Sequence, residues 1–267
     1  MEQLQKKMKE LLTEGLCVAF SGGVDSSVIL KLACIEAKKQ NKEVFAVTFE
    51  TKLHPCADIE IAKKVAKDVG ATHHIIKVNE LDNVEILNNP VDRCYICKKY
   101  LFQNLKTFAQ ENGIKNVIDG TNFDDLKEYR PGIKALNELG VISPLVELEI
   151  NKKQVREFAE KLGLSVSKRP SAPCLATRLP YNTKIEFELL EKIDIGENFL
   201  KSIGFLVNRI RVHGDIARIE IEKCKFSDFI EQNNKITQEL QEIGFTYITL
   251  DMQGFRSGSM DIYVRGE

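Results

Sequence analysis

The chain has 267 residues, of which 43% are hydrophobic and 29% charged, and its formal net charge is −1. This length and composition predict a folded protein with a substantial core, divided into one large and one smaller domain. The small net charge gives no general attraction to nucleic acid or to anionic membranes, and no apolar run approaches the roughly twenty residues of a membrane span. Seven unevenly spaced cysteines indicate reduced thiols or metal ligands, and the amphipathic N-terminus does not resemble a signal peptide. We therefore expect a cytoplasmic protein.

Apolar periodicity in the first two thirds of the chain alternates between helices and strands. Helices are predicted over roughly 2–14, 25–39, 59–69, 98–112 and 151–162. Strands are predicted over roughly 16–20, 44–49, 73–78 and 117–119. This alternation predicts an α/β fold with a doubly wound parallel sheet, whose ligand binds at the carboxyl ends of the strands.

The pattern changes after Gly163, where a segment with three prolines and little periodicity predicts a functional loop and a domain junction. Beyond it, helices are predicted over roughly 186–203 and 227–243, and strands over roughly 207–212, 217–221 and 247–250. These elements predict a smaller C-terminal α+β domain. We place a nucleotide-binding domain at about 1–177 and the C-terminal domain at about 178–267.

The segment SGGVDSS, residues 21–27, follows the first predicted strand and begins a helix. Gly22 and Gly23 lack a Cβ, so backbone amides there can approach a ligand closely, and the helix N-terminus points at the same place. These features are typical of an anion-binding turn. Serine hydroxyls add donors, and the Asp25 carboxylate suits a magnesium ion that also contacts phosphate. No lysine follows the glycines, which excludes a Walker-type loop. A glycine turn capped by Ser21 or Asp25 is the alternative.

Two further segments of the first domain carry candidate ligands. The motif DGTNFDD, residues 119–125, begins where the fourth strand ends, so Asp124 and Asp125 could reach the same magnesium ion. An aspartate N-cap of a short helix is the other reading of this segment. Cys94 and Cys97 are three residues apart at a helix start, a spacing that suits a shared metal ion, a redox disulfide or no chemistry at all.

Two further segments, near and within the C-terminal domain, carry a candidate thiolate and a candidate pair of anion-binding arginines. Cys174 lies in the proline-rich segment RPSAPCLATR, close to Arg178, whose charge would favour a thiolate. Arg209 and Arg211 stand two apart on a predicted strand and so project from one face, where they could clamp a phosphate or carboxylate. An inert loop cysteine and solvated surface arginines are the plain alternatives.

Six motifs in chain order carry a resemblance to a known family: SGGVDSS, RCYICKKYLF, GTNFDD, RPSAPCLATRLPY, NRIRVHGDIARIEI and GFRSGSMD. The first resembles the PP-loop of the ATP pyrophosphatases, which hold the β and γ phosphates of ATP and release them as pyrophosphate. Together the six resemble the LarE family of ATP-dependent sulfur transferases, over nearly the whole chain. The resemblance implies that a carboxylate of pyridinium-3,5-biscarboxylic acid mononucleotide is adenylated and converted to a thiocarboxylate, a step towards the nickel-pincer nucleotide cofactor.

The resemblance also implies roles for individual residues. Cys174 and Asp25 are the implied catalytic residues, and Asp25 and Asp124 the implied magnesium ligands. ATP is implied to bind at Ala19, Phe20, Ser21, Gly22, Gly23, Asp25, Ser26, Ser27, Thr48, Gly120, Thr121 and Asp124. The nucleotide substrate is implied to bind at Arg178, Glu197, Arg209, Arg211 and Glu220. A homo-oligomer is implied as well, with a hexamer as one form.

The family divides over its sulfur source, which is either the thiol that matches Cys174 or a sulfide on a [4Fe-4S] cluster held by three cysteines. Cys94, Cys97 and Cys174 supply three thiolates, which would leave one iron of a cluster without a protein ligand. We favour the cluster as a hypothesis. Cys174 as a sacrificial donor is the alternative, and a zinc site completed by His54 or Cys56 ranks third.

Other functional classes remain open at this stage. A PP-loop with three cysteines also occurs in tRNA thiolases, although the near-neutral charge argues against tRNA as a partner. A synthetase that forms amides with ammonia would need no cysteine, and a nucleotide-binding module without catalysis would release no pyrophosphate.

Overall fold

Four parallel strands form the central sheet of this protein, whose computed structural model describes residues 1–55, 57–79, 83–170, 173–256 and 258–260. They are β1 (Leu16–Ala19), β2 (Val44–Glu50), β3 (Thr72–Lys77) and β4 (Asn116–Ile118). The order across the sheet is β3-β2-β1-β4, and Leu16 lies opposite Val44 on one side and Asn116 on the other. Both central strands therefore end on the same edge, which is where a parallel sheet places its ligands.

Helices cover both faces of this sheet, as the sequence predicts. Two hydrophobic clusters show this, because Leu16 and Val18 belong to one cluster while Cys17, between them, belongs to the other. The first cluster includes residues of α1 (Glu2–Leu11), α2 (Val24–Gln40), α3 (Ala57–Val69) and α8 (Lys152–Lys161). The second includes residues of α5 (Arg93–Glu111) and α6 (Gly132–Glu138). The α/β, doubly wound parallel architecture is confirmed.

A second, smaller sheet lies in the C-terminal part of the chain. Its strands are β5 (Asn208–His213), β6 (Ile216–Ile221) and β7 (Tyr247–Leu250), with β5 antiparallel and β7 parallel to β6. The helices of this part are α9 (Phe187–Ser202), α10 (Phe226–Glu231) and α11 (Asn233–Ile243). The short helices α4 (Val84–Leu87) and α7 (Pro144–Glu147) complete the set of α-helices in the described ranges.

The chain divides into two compact units. The first comprises Met1–Thr51, Cys56–Asn79 and Asp92–Ala172, and the second comprises Lys52–Pro55, Glu80–Val91 and Pro173–Glu267. The sequence places the domain boundary after about residue 177, and the first compact unit ends five residues before that point. Two short segments from the first half of the chain also join the second unit. Within the described part of the chain, no helix is both long enough and apolar enough to span a membrane.

Two helix predictions were wrong in detail. The helix predicted from residue 98 begins at Arg93, so Cys94 lies in its first turn and Cys97 begins the next. The single helix predicted over 227–243 is two helices, α10 and α11, which meet at Gln232. Both Cys17 and Cys34 lie in apolar surroundings, as predicted, and burial raises the pKa of Cys17 to about 12 and that of Cys34 to about 11.

Candidate functional site

The glycine turn after β1 has the geometry of an anion-binding loop. Gly22 has a positive φ of 68°, and a Cβ there would lie 3.0 Å from the backbone nitrogen of Ala62, so neither the conformation nor the space suits a larger residue. Gly23 is the N-cap of α2, with extended backbone and no side chain to satisfy the first amides of the helix. These amides remain available to an anion at the helix N-terminus.

Three serines line this turn. The Gly23 amide donates to Ser21 Oγ at 3.3 Å, and Ser26 Oγ donates to the Gly23 carbonyl at 3.2 Å. Ser27 Oγ is buried and has no hydrogen-bond partner among the described residues. A buried hydroxyl without a partner carries a desolvation cost of about 1–3 kcal/mol, which a bound ligand oxygen would relieve. Among the described residues, the turn thus contains helix amides without a side-chain cap and a buried hydroxyl without a hydrogen-bond partner.

The end of β4 lies directly against this turn. A Cβ on Gly120 would lie 2.9 Å from the backbone nitrogen of Ser26, so the two backbones touch without a side chain between them. Thr121 Oγ1 donates to the buried carboxylate of Asp119, and Ser143 Oγ donates to the same group at 2.6 Å. Gly120 is therefore placed beside Ser26 of the turn, as the sequence predicts for strands with a common edge.

A second side of the turn is formed by β2 and β3. Thr48 Oγ1 donates to the Phe20 carbonyl at 2.7 Å and lies 2.8 Å from His73 Nε2. Because the Thr48 hydroxyl has one proton, which goes to Phe20, His73 must donate from Nε2 to Thr48. Burial lowers the pKa of His73, which favours this neutral imidazole. Phe20, adjacent to Ala19 at the strand end, is thus fixed by a chain of two hydrogen bonds.

Asp25 and Asp124 are linked through two residues that the sequence did not single out. Asn122 Nδ2 donates to Asp25 Oδ1 at 3.3 Å, and Asn122 Oδ1 accepts from the Asp124 amide at 3.0 Å. The Lys152 ammonium forms an ion pair with Asp25 Oδ2, while the Lys152 amide donates to Asp124 Oδ2 at 3.0 Å. The Lys152 amide and then the Lys127 ammonium lower the pKa of Asp124.

The two carboxylates of the DGTNFDD motif have different roles. Asn122, and not an aspartate, is the N-cap of the short 3₁₀ helix that follows, and Asp125 closes its capping box by accepting from the Asn122 amide at 3.0 Å. Burial raises the pKa of Asp125, partly offset by Arg130 at 2.9 Å. Within the described ranges, no three His, Cys, Asp or Glu side chains are grouped as a metal site. A magnesium ion at Asp25 and Asp124 stays a prediction.

Arg169 also belongs to this site, although the sequence-based prediction missed it. Its Nη1 donates to the Gly22 carbonyl at 3.2 Å, and its Nη2 forms an ion pair with Asp58 on α3. Arg169 therefore holds the turn from outside. The available signal was an arginine at the start of the proline-rich loop, but its partners lie 111 and 147 residues away in sequence.

The cysteines of α5 lie at the beginning of that helix. Cys94 and Cys97 are both partly exposed, and neither is in a disulfide. The Arg93 guanidinium, itself almost fully buried, donates to Cys94 Sγ at 3.6 Å. Cys97 packs against the second hydrophobic cluster. Of the possible zinc ligands, Cys56 lies outside the described residues.

In the second unit, Arg178 holds the loop that carries Cys174. Its guanidinium forms a bidentate pair with Glu197, at 2.9 Å from Nε to Oε1 and 2.8 Å from Nη2 to Oε2. Nη1 donates to the carbonyl oxygens of Pro173 at 2.9 Å and Cys174 at 3.1 Å. Burial raises the pKa of Glu197, but hydrogen bonds from Arg178 outweigh it and the net shift is downward. Arg178 and Glu197, predicted to bind substrate, are used inside the protein.

Arg209 and Arg211 lie on β5, but their surroundings differ. Arg211 is nearly buried, and it donates from Nε to Glu220 Oε1 at 2.9 Å and from Nη1 to the Thr177 carbonyl at 2.7 Å. Arg209 is half-buried, with its guanidinium 5.3 Å from the centre of the Phe255 ring. Burial, and then the charge of Arg178, lowers the pKa of Arg209 to about 10. The two arginines predicted to clamp an anion therefore differ in burial and in their contacts, and the clamp stays a prediction.

Glu220 is the buried acidic centre of this arrangement. Its Oε1 accepts from Arg211, from Arg218 at 3.2 Å and from Ser259 at 2.7 Å. Its Oε2 has no hydrogen-bond partner within the described part of the chain. A buried carboxylate oxygen without a donor suits a ligand hydroxyl or amide.

Comparisons with known proteins find a family that matches part of the first unit and relatives whose alignments cover both units. A family described as asparagine synthase matches residues 4–96. The chain is 36% identical to an uncharacterized protein of Synechocystis sp. over 263 residues. This alignment covers 98% of this chain and 96% of that relative. The chain is also 36% identical over 244 residues to the pyridinium-3,5-bisthiocarboxylic acid mononucleotide synthase of Lactiplantibacillus plantarum, with 91% and 88% covered.

A more distant relative shares part of the chain. The tRNA-specific 2-thiouridylase MnmA 1 of Fusobacterium nucleatum is 31% identical over 181 residues, which covers 58% of this chain and 47% of that protein. The first two alignments include both units, whereas this one does not span the chain.

Proposed function

This chain belongs to the PP-loop ATP pyrophosphatases, in the family of the pyridinium-3,5-bisthiocarboxylic acid mononucleotide synthase, and we propose that it performs the same sulfur insertion. The proposed reaction adenylates a carboxylate of pyridinium-3,5-biscarboxylic acid mononucleotide and converts it to a thiocarboxylate. The observation that carries the proposal is the 36% identity to that synthase over 91% of this chain. The anion-binding turn in the first unit supports it.

Adenylation explains why a sulfur transferase would need the glycine turn. A carboxylate is a poor acyl donor because its oxygen is a poor leaving group, whereas a mixed anhydride with AMP reacts readily with a sulfur nucleophile. The amides that follow Gly23 and the unpartnered Ser27 hydroxyl would hold the pyrophosphate as it leaves. The Asp25 carboxylate would hold magnesium that accompanies the nucleotide.

The second unit would bind the anionic mononucleotide. Arg209 is half-exposed and is the natural contact for a phosphate or carboxylate. The unpartnered Oε2 of Glu220 would accept from a substrate hydroxyl. Arg178 and Arg211 would act indirectly, since their contacts hold the Cys174 loop. We also propose that this unit makes the contacts of a homo-oligomer, which light scattering would test.

Two routes for the sulfur atom remain. A [4Fe-4S] cluster on Cys94, Cys97 and Cys174 would supply an iron without a protein ligand, where sulfide can bind. Support comes from the three thiols, which are partly exposed and outside any disulfide. In the alternative, the Cys174 thiolate displaces AMP to form a thioester. Loss of the Cys174 α-proton then breaks its Cβ–S bond, which leaves the thiocarboxylate and dehydroalanine.

The test is a reaction with ATP, magnesium and the biscarboxylic mononucleotide, without oxygen, on wild type and on Cys94→Ala, Cys97→Ala and Cys174→Ala. Pyrophosphate release and a thiocarboxylate product found by mass spectrometry would support the proposed reaction. Pyrophosphate release with no sulfur-containing product, with or without sulfide, would refute it. Cys224→Ala, at an exposed cysteine of the second unit, is the matched control.

The same samples separate the two routes. About four irons per chain, lost in each of the three variants and kept in Cys224→Ala, would support the cluster. Iron-free protein, with product formation that ends after one turnover and leaves the chain one sulfur atom lighter, would support Cys174 as the donor.

A tRNA thiolase is the second candidate, on the strength of the partial identity to the thiouridylase. It predicts tight binding of bulk tRNA that weakens steeply with salt. Binding that is absent at low salt would exclude it.

A further inference from the structure

Lys152 joins the two carboxylates that the sequence assigned to magnesium. Its ammonium forms an ion pair with Asp25, 127 residues away in sequence, and its backbone amide donates to Asp124 at 3.0 Å. Both contacts come from the first residue of α8. The residue is therefore in position to affect any cation that approaches Asp25.

Each oxygen of the Asp25 carboxylate already has a partner in this arrangement. Oδ1 accepts from Asn122 Nδ2 at 3.3 Å, and Oδ2 is paired with the Lys152 ammonium. A divalent cation needs at least one carboxylate oxygen from Asp25. A divalent cation at Oδ2 would lie beside the Lys152 ammonium, and because like charges repel, binding of the cation favours departure of the ammonium.

The backbone of Lys152 is fixed, whereas its side chain can move. Asn151 caps α8 through a capping box with Gln154, with hydrogen bonds of 3.0 and 2.9 Å. The Lys152 side chain is 30% exposed and ends a flexible four-carbon stem. Its ammonium can therefore change partners while its amide stays on Asp124.

We propose that Lys152 takes the place of the divalent cation at Asp25 in the nucleotide-free protein and transfers its ammonium to the triphosphate when ATP and the cation bind together. This inference rests on the proposed use of ATP and names a positioning residue for it. The exchange keeps opposite charges paired in both states: Lys152 with Asp25 before, and Lys152 with phosphate and the cation with Asp25 after. It makes binding of cation and nucleotide mutually dependent.

The direct test measures Mn²⁺ as a probe for the cation, by electron paramagnetic resonance of the free ion, with and without a non-hydrolysable ATP analogue. For wild type we expect weak Mn²⁺ binding alone and binding at least about tenfold tighter with the analogue, beyond what the analogue binds by itself in solution. For Lys152→Met we expect Mn²⁺ alone to bind about tenfold or more tightly than in wild type, and the analogue to bind more weakly. Lys153→Met, at the exposed neighbouring residue, should match wild type.

Asp25→Asn in the Lys152→Met background should remove the gained Mn²⁺ binding, which shows where the ion sits. Wild type that binds Mn²⁺ equally well with and without the analogue would overturn the proposal, and this measurement needs no variant. Lys152→Met that folds normally, by circular dichroism, but gains no Mn²⁺ binding would overturn it too. None of these readouts uses the mononucleotide or a sulfur source. The exchange at Lys152 and the proposed sulfur insertion can therefore be confirmed or refuted independently.

Discussion

Arg178 donates from Nη1 to the main-chain carbonyl oxygen of Cys174 at 3.1 Å. Its other nitrogens are committed to Glu197, and both side chains of that pair are only 2% exposed. A buried pair with this geometry is costly to break, because the remaining charge has no partner. The position of the loop around Cys174 therefore depends on a buried ion pair whose arginine also donates to the main-chain carbonyl oxygens of Pro173 and Cys174.

Arg178→Gln should lower the free energy of unfolding by about 3–5 kcal/mol, because Glu197 is left buried and unpaired. Urea denaturation measures this. Lys225→Gln, which breaks the exposed pair with Asp228 at 2.8 Å, should change stability far less, because solvent screens that pair. Equal losses in the two variants would contradict the assignment.

Arg178→Lys separates loop position from stability. It keeps the positive charge but cannot reproduce the bidentate pair together with the two carbonyl contacts. We expect a changed rate of Cys174 alkylation in metal-free protein at a temperature where the variant remains folded. An unchanged rate would mean that Arg178 stabilises the second unit without positioning the thiol.

Arg209→Ala and Arg211→Ala should have different effects. Arg209 is half-exposed, so its loss should raise KM for the mononucleotide by about tenfold or more with little loss of stability. Arg211→Ala removes one of the three donors to the buried Glu220 and the Arg211 donor to the Thr177 carbonyl, so stability should fall as well. Steady-state kinetics and denaturation of the same samples measure both. A similar rise in KM for ATP would show that neither arginine is specific to the mononucleotide.

Gly120→Ala should weaken ATP binding by about tenfold or more, because the new Cβ would lie only 2.9 Å from the Ser26 backbone nitrogen and would displace that amide from its place at the turn. Calorimetry with a non-hydrolysable analogue measures it. Gly140→Ala is the control, because Gly140 has a φ of +64° and no atom within 4 Å of an added Cβ. It should cost about 1–2 kcal/mol of stability through backbone strain and leave ATP binding intact.

Stability should fall as pH drops below the ordinary histidine pKa of about 6.5, partly because of His73. Burial lowers the pKa of His73 in the folded state, so the unfolded chain takes up this proton first. Protonation therefore stabilises the unfolded chain relative to the folded chain. The contribution is present above the unfolded pKa and is lost as pH falls towards the folded pKa. His73→Gln should reduce the difference between denaturation midpoints at neutral and mildly acidic pH. His213, whose pKa burial also lowers, accounts for part of what remains.

The spacing of apolar residues predicted most helices and strands, because this spacing decides which face of each element packs against the core. β7 (Tyr247–Leu250) has the predicted bounds, and β1 and β2 end within one residue of theirs. The start of α5 was missed because Arg93, although only 2% exposed, is not an apolar residue and breaks the periodic pattern. The break at Gln232 was missed because the apolar spacing continues through α10 and α11.

Contacts between residues far apart in sequence limit how much of the candidate site the sequence predicts. The glycine turn, Thr121 and Gly120 follow from strand ends on a common edge, which the sequence does indicate. The pairs of Lys152 with Asp25 and of Arg169 with Asp58 join residues 127 and 111 apart, and no local pattern encodes such pairings. Sequence likewise does not reveal that Arg178 donates to Glu197 and to two loop carbonyls, and the contact of Arg178 with a substrate stays a prediction.

Lys152 is the first residue of α8, but its backbone amide makes proline unsuitable at this position. The first residue of a helix usually accepts proline well, because its N–H has no partner within the helix. Here that N–H donates to Asp124 at 3.0 Å, so proline would remove the donor even though α8 could still form. Every other replacement of Lys152 keeps the amide and changes the side chain alone. One position thus carries two separable contacts, and two different kinds of substitution distinguish them.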